Sequence, residues 1–361
     1  MSAHQPSVEP GGISQADPQD HWPLVSVVVA VRNEADFADR CLRSLLRGDY
    51  PPDRMEILVV DGMSNDGTRA IVERLAKEDS RIRLLDNPRR IVAAGVNVAI
   101  REARGEIITW LGGHAEYAPD FLSCSVRALM EHPEVWCVGG PIRTVAEGWV
   151  GRSIAAAMST PVGVGNAMFR LGNYEGYVDT ITFASYRRWV FDRIGLFDEE
   201  LVRNQDDELN LRLVLAGGKI YMTPQIRSEY YPRTSLRKLA RQYFQYGYWR
   251  IRTIQKHQRP ATLRQIAPLL FVLTWLVLMT ATLVWPPAGW GLLAFACLYA
   301  LGLLAGAMDV ARRTGIREAL LSPVVFAILH FSYGLGSLKG LVSFVLLRRK
   351  PSRPEDHALS R

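Results

Sequence analysis

The chain has 361 residues, a formal net charge of +7 and 48% apolar residues, enough for one large domain or two smaller ones. Its four cysteines (Cys41, Cys124, Cys137 and Cys297) show no paired spacing, which argues against a zinc site or a disulfide framework. A positive chain suits nucleic acid or an anionic membrane, but ten Lys/Arg residues lie between Arg227 and Arg264, directly before long uncharged runs, which favours membrane lipids over nucleic acid.

Residues 1–22 are polar and rich in Pro and Gly and read as a disordered tail. No basic region followed by an apolar core opens the chain, so a cleaved signal peptide is not expected. Leu24 to Val31 is a continuous apolar, β-branched run, as expected of a strand buried on both faces. After Arg32-Asn33-Glu34, the positions Phe37, Cys41, Leu42, Leu45 and Leu46 recur at helical spacing, and Pro51-Pro52 ends that segment. Glu56 to Val60 reads as a second buried strand and Arg69 to Ala76 as a helix. Arg81 to Leu85 is a third strand, Ile91 to Ala103 a helix and Glu106 to Leu111 a fourth strand. This alternation predicts an α/β fold with a doubly wound, mostly parallel sheet.

In such sheets ligands sit beyond the carboxyl ends of the strands. Arg32-Asn33-Glu34, Asp61 and Gly112-Gly113-His114 all fall there. Asp66 has an alternative role, because Asp-Gly-Thr also makes a turn and a helix cap. If a nucleotide binds at this edge, Asp61 and Glu34 would accept hydrogen bonds from its base or ribose. His114 and Glu116 are two residues apart and would point the same way on an extended backbone. They could ligate a divalent cation on a diphosphate, although oxygen ligands suit magnesium better than imidazole does.

The next stretch is less regular, and Asp179 to Phe183 reads as a strand, suiting an acceptor-binding region. Asn204-Gln205-Asp206-Asp207-Glu208 then sets three carboxylates at the start of a helical run. It is either a solvated first turn favoured by the helix dipole or the wall of a site. Neighbouring acids would raise the proton affinity of Asp206, which suits a base. Lys219 to Met222 is a further strand. Leu236, Leu239, Tyr243 and Tyr246 share one helical face amid basic residues, which reads as an interfacial helix in preference to a core helix.

Ile266 to Trp285 and Gly289 to Met308 carry no charge and are long enough to span a bilayer as a hairpin. Arg312, Arg313 and Arg317 on one side and the basic stretch 227–264 on the other place both flanks in the cytoplasm. Ala319 to Leu347 is a third apolar segment, interrupted by His330 and Lys339 and rich in Gly. A single span and a re-entrant arrangement are both compatible with it.

The blocks Arg32-Asn33-Glu34, Val59 to Thr68, and Gln205-Asp206-Asp207-Glu208-Leu209 with Arg212 resemble family 2 glycosyltransferases, which have the GT-A fold. The resemblance covers roughly residues 24–350 and is strongest to the membrane-anchored branch that builds succinoglycan-type bacterial exopolysaccharides. It implies a nucleotide-diphospho-sugar donor, a UDP-hexose above all. It also implies inverting transfer to a polyprenyl-diphosphate-linked glycan at the cytoplasmic face of a bacterial inner membrane. On the resemblance Arg32, Asn33, Glu34, Asp61 and Asp66 belong to the nucleotide site. Asp206 matches the catalytic base, with Gln205 where the family has Glu, and Glu208 and Arg212 match the polar positions that follow.

The family usually has Asp at the position of Gly112, opening its metal motif. His114 remains and Glu116 is the candidate substitute for holding Mg2+ or Mn2+. Gln245 to Arg250 lies where processive relatives carry Gln-x-x-Arg-Trp but does not reproduce it, which favours single-sugar addition. The implied organisation is a tail (1–22), a GT-A domain (23–232), an amphipathic interfacial region (233–264), a transmembrane region (265–347) and a basic tail (348–361). Gly112 motivates an alternative: a weakly active or inactive sugar-nucleotide-binding partner of a polysaccharide assembly complex.

Overall fold

The computed structural model describes residues 22–232 and 234–349. The tail expected over 1–22 therefore lies outside the described residues except for Trp22, whose ring packs edge-on against Tyr50 at 5.0 Å. The basic tail is described only at Arg348 and Arg349.

The first half alternates as the hydrophobic pattern predicts: β1 (Val25–Val31), α1 (Ala35–Leu46), β2 (Met55–Asp61), α2 (Thr68–Glu78), β3 (Ile82–Asp86), α3 (Val92–Glu102) and β4 (Ile107–Gly112). β1 shows why an unbroken apolar run is needed. Val27 and Val29 pack on one face with Leu42, Leu45 and Ile57, while Val28 packs on the other with Leu58, Val96 and Ile100. Parallel register pairs Val31 with Asp61, Ala30 with Gly112, and Asp61 with Asp86. The carboxyl ends of four strands are thus level, and their polar loops share one edge.

Beyond β4 the chain turns into β5 (Ala115–Tyr117), α4 (Phe121–Glu131), β6 (Val135–Gly139) and β7 (Ile142–Thr144). Next come α5 (Gly148–Ala157), the short α6 (Pro161–Val164) and α7 (Met168–Leu171), β8 (Gly176–Val178) and β9 (Ala184–Arg187). α8 (Trp189–Ile194), α9 (Gln205–Leu215), β10 (Lys219–Met222) and β11 (Ser228–Tyr230) complete the domain. The main sheet runs β3-β2-β1-β4-β9-β6-β10-β8, with β9 and β8 antiparallel to their neighbours, and β5-β11-β7 form a smaller sheet.

The strand expected over Asp179 to Phe183 is instead a loop between β8 and β9. Its polar groups are engaged elsewhere: Asp179 pairs with Arg264, Thr180 donates to Asp207, and the Ile181 carbonyl accepts from Asn210.

The C-terminal part holds α10 (Leu236–His257), α11 (Ala267–Val284), α12 (Gly289–Thr314), the short α13 (Ile316–Ala319) and α14 (Ser322–Gly340), which continues as a π-helical turn over Leu341–Leu346. Three segments are long and apolar enough to cross a membrane: Ala267–Val284, Pro286–Thr314 and Ser322–Leu346. α11 and α12 form the expected hairpin, joined through Pro286–Ala288 and zipped by Phe271, Trp275, Phe295 and Tyr299.

The third segment is one continuous helix. It is fastened to α10 by glycines: a Cβ at Gly247 would lie 2.0 Å from the Tyr333 carbonyl oxygen, and one at Gly336 2.0 Å from that of Phe244. Such backbone contact is available only to residues without a side chain. This packing corrects the expectation for the amphipathic stretch. On the face of Leu236, Leu239, Tyr243 and Tyr246, Leu239 and Tyr243 are buried in protein and the other two are half-buried, with α14 packed on this helix.

Candidate active site

At the ends of β1 and β2 the predicted residues converge. Asp61 is fully buried and accepts the Ser64 amide at 3.1 Å, with Arg69 at 3.6 Å. The side chain of Asn33 accepts the Asn65 amide, and the Asn33 amide is held by Ser64 Oγ. Glu34 is buried, and its Oε1 lies 3.5 Å from His114 Nδ1. Arg32 reaches the Arg90 carbonyl. Asp66 takes its alternative role. Burial raises its pKa, but hydrogen bonds from Thr68 and the Ala35 amide outweigh this and hold it below the usual carboxylate value. It thereby caps α2 and ties it to α1.

Asn33, Met63, Phe183 and Asn204 are all non-glycine residues with positive φ, between 53° and 62°, and all border this edge. Strain of this kind persists only where surrounding contacts fix it, and functional edges collect it.

α9 begins at Asn204, whose left-handed backbone (φ 62°) turns the first helical residues toward the interior and whose side chain donates to the Tyr246 carbonyl. The acidic turn is therefore part of a wall and is not a solvated helix start. Its three carboxylates separate by environment. Burial first, then the neighbouring charge of Asp207, lifts Asp206 from 3.8 to about 6. Asp207 is ion-paired with buried Arg250 and accepts Thr180 Oγ1 at 2.6 Å. Burial raises it, but Arg250 and Thr180 prevail and hold it below the ordinary value.

Glu208 and Arg212, which on the resemblance match the polar positions after Asp206, pair with each other. Glu208 is buried behind the helix, bonded to Arg212 at 2.7 Å and to His257 at 2.9 Å. Arg212 also holds the carbonyls of Ile194 and Leu196. The pair fastens α9 to the preceding loop and to α10.

The expected metal pair His114 and Glu116 is not assembled either. Gly113 and His114 form the turn between β4 and β5, which breaks the two-residue alternation. Glu116 faces Arg40 and the Tyr231 hydroxyl, away from His114. At Gly112 a Cβ would come within 2.7 Å of the Phe183 ring, so the place of a side chain is filled. No group of three His, Cys, Asp or Glu side chains that could hold an ion occurs among the described residues. This donor set does not fit a carboxylate-held divalent cation.

One cavity of about 470 Å³ lies beyond the end of β4, and Arg32, Asn33, Glu34 and Asp61 are not among the residues that line it. Gly112, His114, Phe183 and Tyr230 line its sheet end, Gln205, Asp206 and Asp207 one wall, and Tyr243, Tyr246 and Arg250 the floor. It ends among Pro268 of α11 and Leu329, His330 and Tyr333 of α14. Thr180, Phe183, Arg170 and Tyr230 were not legible as site residues. Arg250 left one trace, in the stretch aligned with the processive motif.

A family model for Glycosyl transferase family 2 matches residues 26–195. The chain is 34% identical over 246 residues to the succinoglycan biosynthesis protein ExoA of Rhizobium meliloti, covering 67% of this chain and 74% of that protein. It is 30% identical over 231 residues to dolichyl N-acetyl-alpha-D-glucosaminyl phosphate 3-beta-D-2,3-diacetamido-2,3-dideoxy-beta-D-glucuronosyltransferase of Methanococcus voltae, covering 62% and 72%. Among solved structures, the mannosyltransferase PcManGT from Pyrobaculum calidifontis, in complex with GDP-Man and Mn2+, superposes with a TM-score of 0.57 at 21% identity, covering 92% of this chain and 91% of that one. At that identity the likeness shows the fold, a GT-A-like mixed sheet.

Proposed function

Because the chain belongs to glycosyl transferase family 2, we propose that it moves a hexose from a nucleoside-diphosphate sugar, a UDP-sugar first among them, to a polyprenyl-linked glycan at a membrane. The observation that carries this reading is the continuity of the cavity: it runs from Asp206 and His114 to α11 and α14, two of the segments apolar enough to cross a bilayer. A long-chain lipid carrier lying along those helices would present its head group to Asp206 without leaving the membrane. The Methanococcus relative is itself named for a dolichyl-linked substrate, and ExoA for exopolysaccharide synthesis.

In this reading Asp61, Glu34, Asn33 and Arg32 receive the nucleoside. Asp206 takes the proton from the acceptor hydroxyl, and a carboxyl poised near 6 is ionised at neutral pH yet basic enough to do so. Asp207, fixed by Arg250 and Thr180, keeps Asp206 in that range. The base and the incoming hydroxyl then lie opposite the departing diphosphate, which gives inversion. No step passes through a metal. The flanking arginines support a cytoplasmic position for the domain, with the hairpin in an inner membrane.

Membranes carrying the protein should transfer labelled sugar from a nucleotide donor to lipid, and Asp206→Asn should abolish it. Undiminished transfer by that variant would remove Asp206 as the base. The filled place at Gly112 favours a second reading, a sugar-nucleotide binder without turnover. Donor binding with no product from the wild type would select it.

A further inference from the structure

Four arginines line the cavity, and three have partners. Arg250 is paired with Asp207 and Arg264 with Asp179, while Arg203 donates to Gln245. Arg170 differs. Its Nη1 is buried and has no hydrogen-bond partner, and among the described residues no carboxylate pairs with it. Its guanidinium lies over two rings, 5.4 Å from the centre of Phe169 and 5.5 Å from that of Tyr230. Aromatic faces hold such a cation in place but do not accept its N–H bonds. A buried guanidinium N–H without an acceptor is costly, and a phosphate oxygen relieves that cost.

The position of Arg170 also matters. The Tyr230 ring beneath it lies 5.2 Å from the His114 ring and 6.5 Å from that of Phe183. Phe183 is the side chain that fills the space a carboxylate would need at Gly112. The cation thus lies over a ring that neighbours both His114 and Phe183, in the wall of the same cavity. Two more buried acceptors in the same walls, Gln205 Oε1 and Gln242 Oε1, also lack partners and suit sugar hydroxyls.

We propose that Arg170 is the phosphate-binding cation of this cavity, supplying from the chain itself the positive charge that a phosphate or diphosphate group of a substrate requires there. The inference rests on the glycosyltransferase reading for the identity of the substrates. The phosphate has two sources, the diphosphate of the sugar donor and the phosphate of the lipid acceptor, and the chemistry at Arg170 is common to both.

The test compares full-length wild type, Arg170→Met and Arg170→Lys in detergent micelles with EDTA present, after thermal unfolding has confirmed that each is folded. UDP, GDP, ADP and dTDP are each measured against the matching nucleoside, and a polyprenyl phosphate against the matching polyprenol. The wild type should prefer the phosphate-bearing partner in at least one pair by tenfold or more. Arg170→Met should erase that preference while leaving nucleoside or polyprenol binding unchanged, and Arg170→Lys should keep most of it. Loss in a nucleotide pair assigns Arg170 to the donor, and loss in the lipid pair to the acceptor. A wild type without the preference, or a Met variant that retains it in every pair, overturns the proposal. Binding is read without turnover, so a wild type that fails to transfer sugar would sink the transferase reading and leave this result standing on its own.

Discussion

Burial raises the proton affinity of Asp206, the like charge of Asp207 adds to this and the opposite charge of Arg250 works against it. Removing either half of the ion pair should therefore move the pH dependence of transfer in opposite senses. Asp207→Asn takes away the repulsion and leaves Arg250 facing Asp206 alone, so Asp206 should become more acidic. Arg250→Met takes away the attraction and leaves two carboxylates together, so Asp206 should rise above about 6. A unit charge roughly 5–7 Å away at an effective dielectric near 20 is worth about 2–3 kcal/mol. With partial compensation by the remaining groups, displacements of about one to two pH units are expected.

The assay is kcat/KM against pH for the solubilised enzyme, because its acid limb reports the essential base of the free enzyme. Stability against pH would not isolate the effect. The raised Asp206 contributes stability that is lost as pH rises from about 4 through about 6. The lowered Asp207 contributes stability that is lost as pH falls through its depressed value, so the two slopes oppose each other. Breaking a buried pair costs about 3–5 kcal/mol, so both variants are to be assayed well below their unfolding temperatures. An acid limb that stays in place in both variants, or moves the same way in both, would refute Asp206 as the titrating base.

Three further outcomes follow from the packing. Glu208→Gln should lower stability by about 2–4 kcal/mol by loosening Arg212 and His257, while kcat of the folded protein stays within about threefold; a hundredfold fall in kcat at unchanged melting temperature would return Glu208 to the reaction. Gly112→Asp should cost about 1–3 kcal/mol by displacing Phe183, and Mn2+ should raise its melting temperature only when Phe183→Ala is added. Gly336→Val should separate α10 from α14, because its Cβ would meet the Phe244 carbonyl oxygen; limited proteolysis should then cut within α10, and an unchanged pattern would sink the claim that this contact fastens the two helices.

The parts of the molecule that sequence reveals are those whose cause is local. The strands around Val28, Leu58 and Ile108 are buried on both faces, and continuous apolar runs say so without reference to the rest of the chain. Their level carboxyl ends follow from parallel winding, which is why Glu34, Asp61 and Gly112 could be placed on one edge in advance. The hairpin of α11 and α12 was equally plain, since lipid demands long uncharged runs.

What was missed depends on which distant groups meet. A basic, aromatic helix has the same periodicity whether lipid or protein covers its apolar face. Only the close backbone contacts of Gly247 in α10 with Tyr333 and of Gly336 in α14 with Phe244 show protein on that helix. Asp207 and Arg250 are 43 residues apart, so nothing adjacent to the acidic run tells a solvated carboxylate from a buried pair. Glu116 was placed by strand alternation, and a single turn at Gly113-His114 undoes that. Gly112 is the sharpest case. In sequence it reads as a lost ligand, a position one substitution could restore. In the fold Phe183, held at φ 53°, occupies the space that a Cβ at Gly112 would need. An aspartate placed at Gly112 therefore requires a second change at Phe183. Arg170 Nη1 is a buried donor without a hydrogen-bond partner in the same cavity wall, which is why a phosphate is proposed to meet it there.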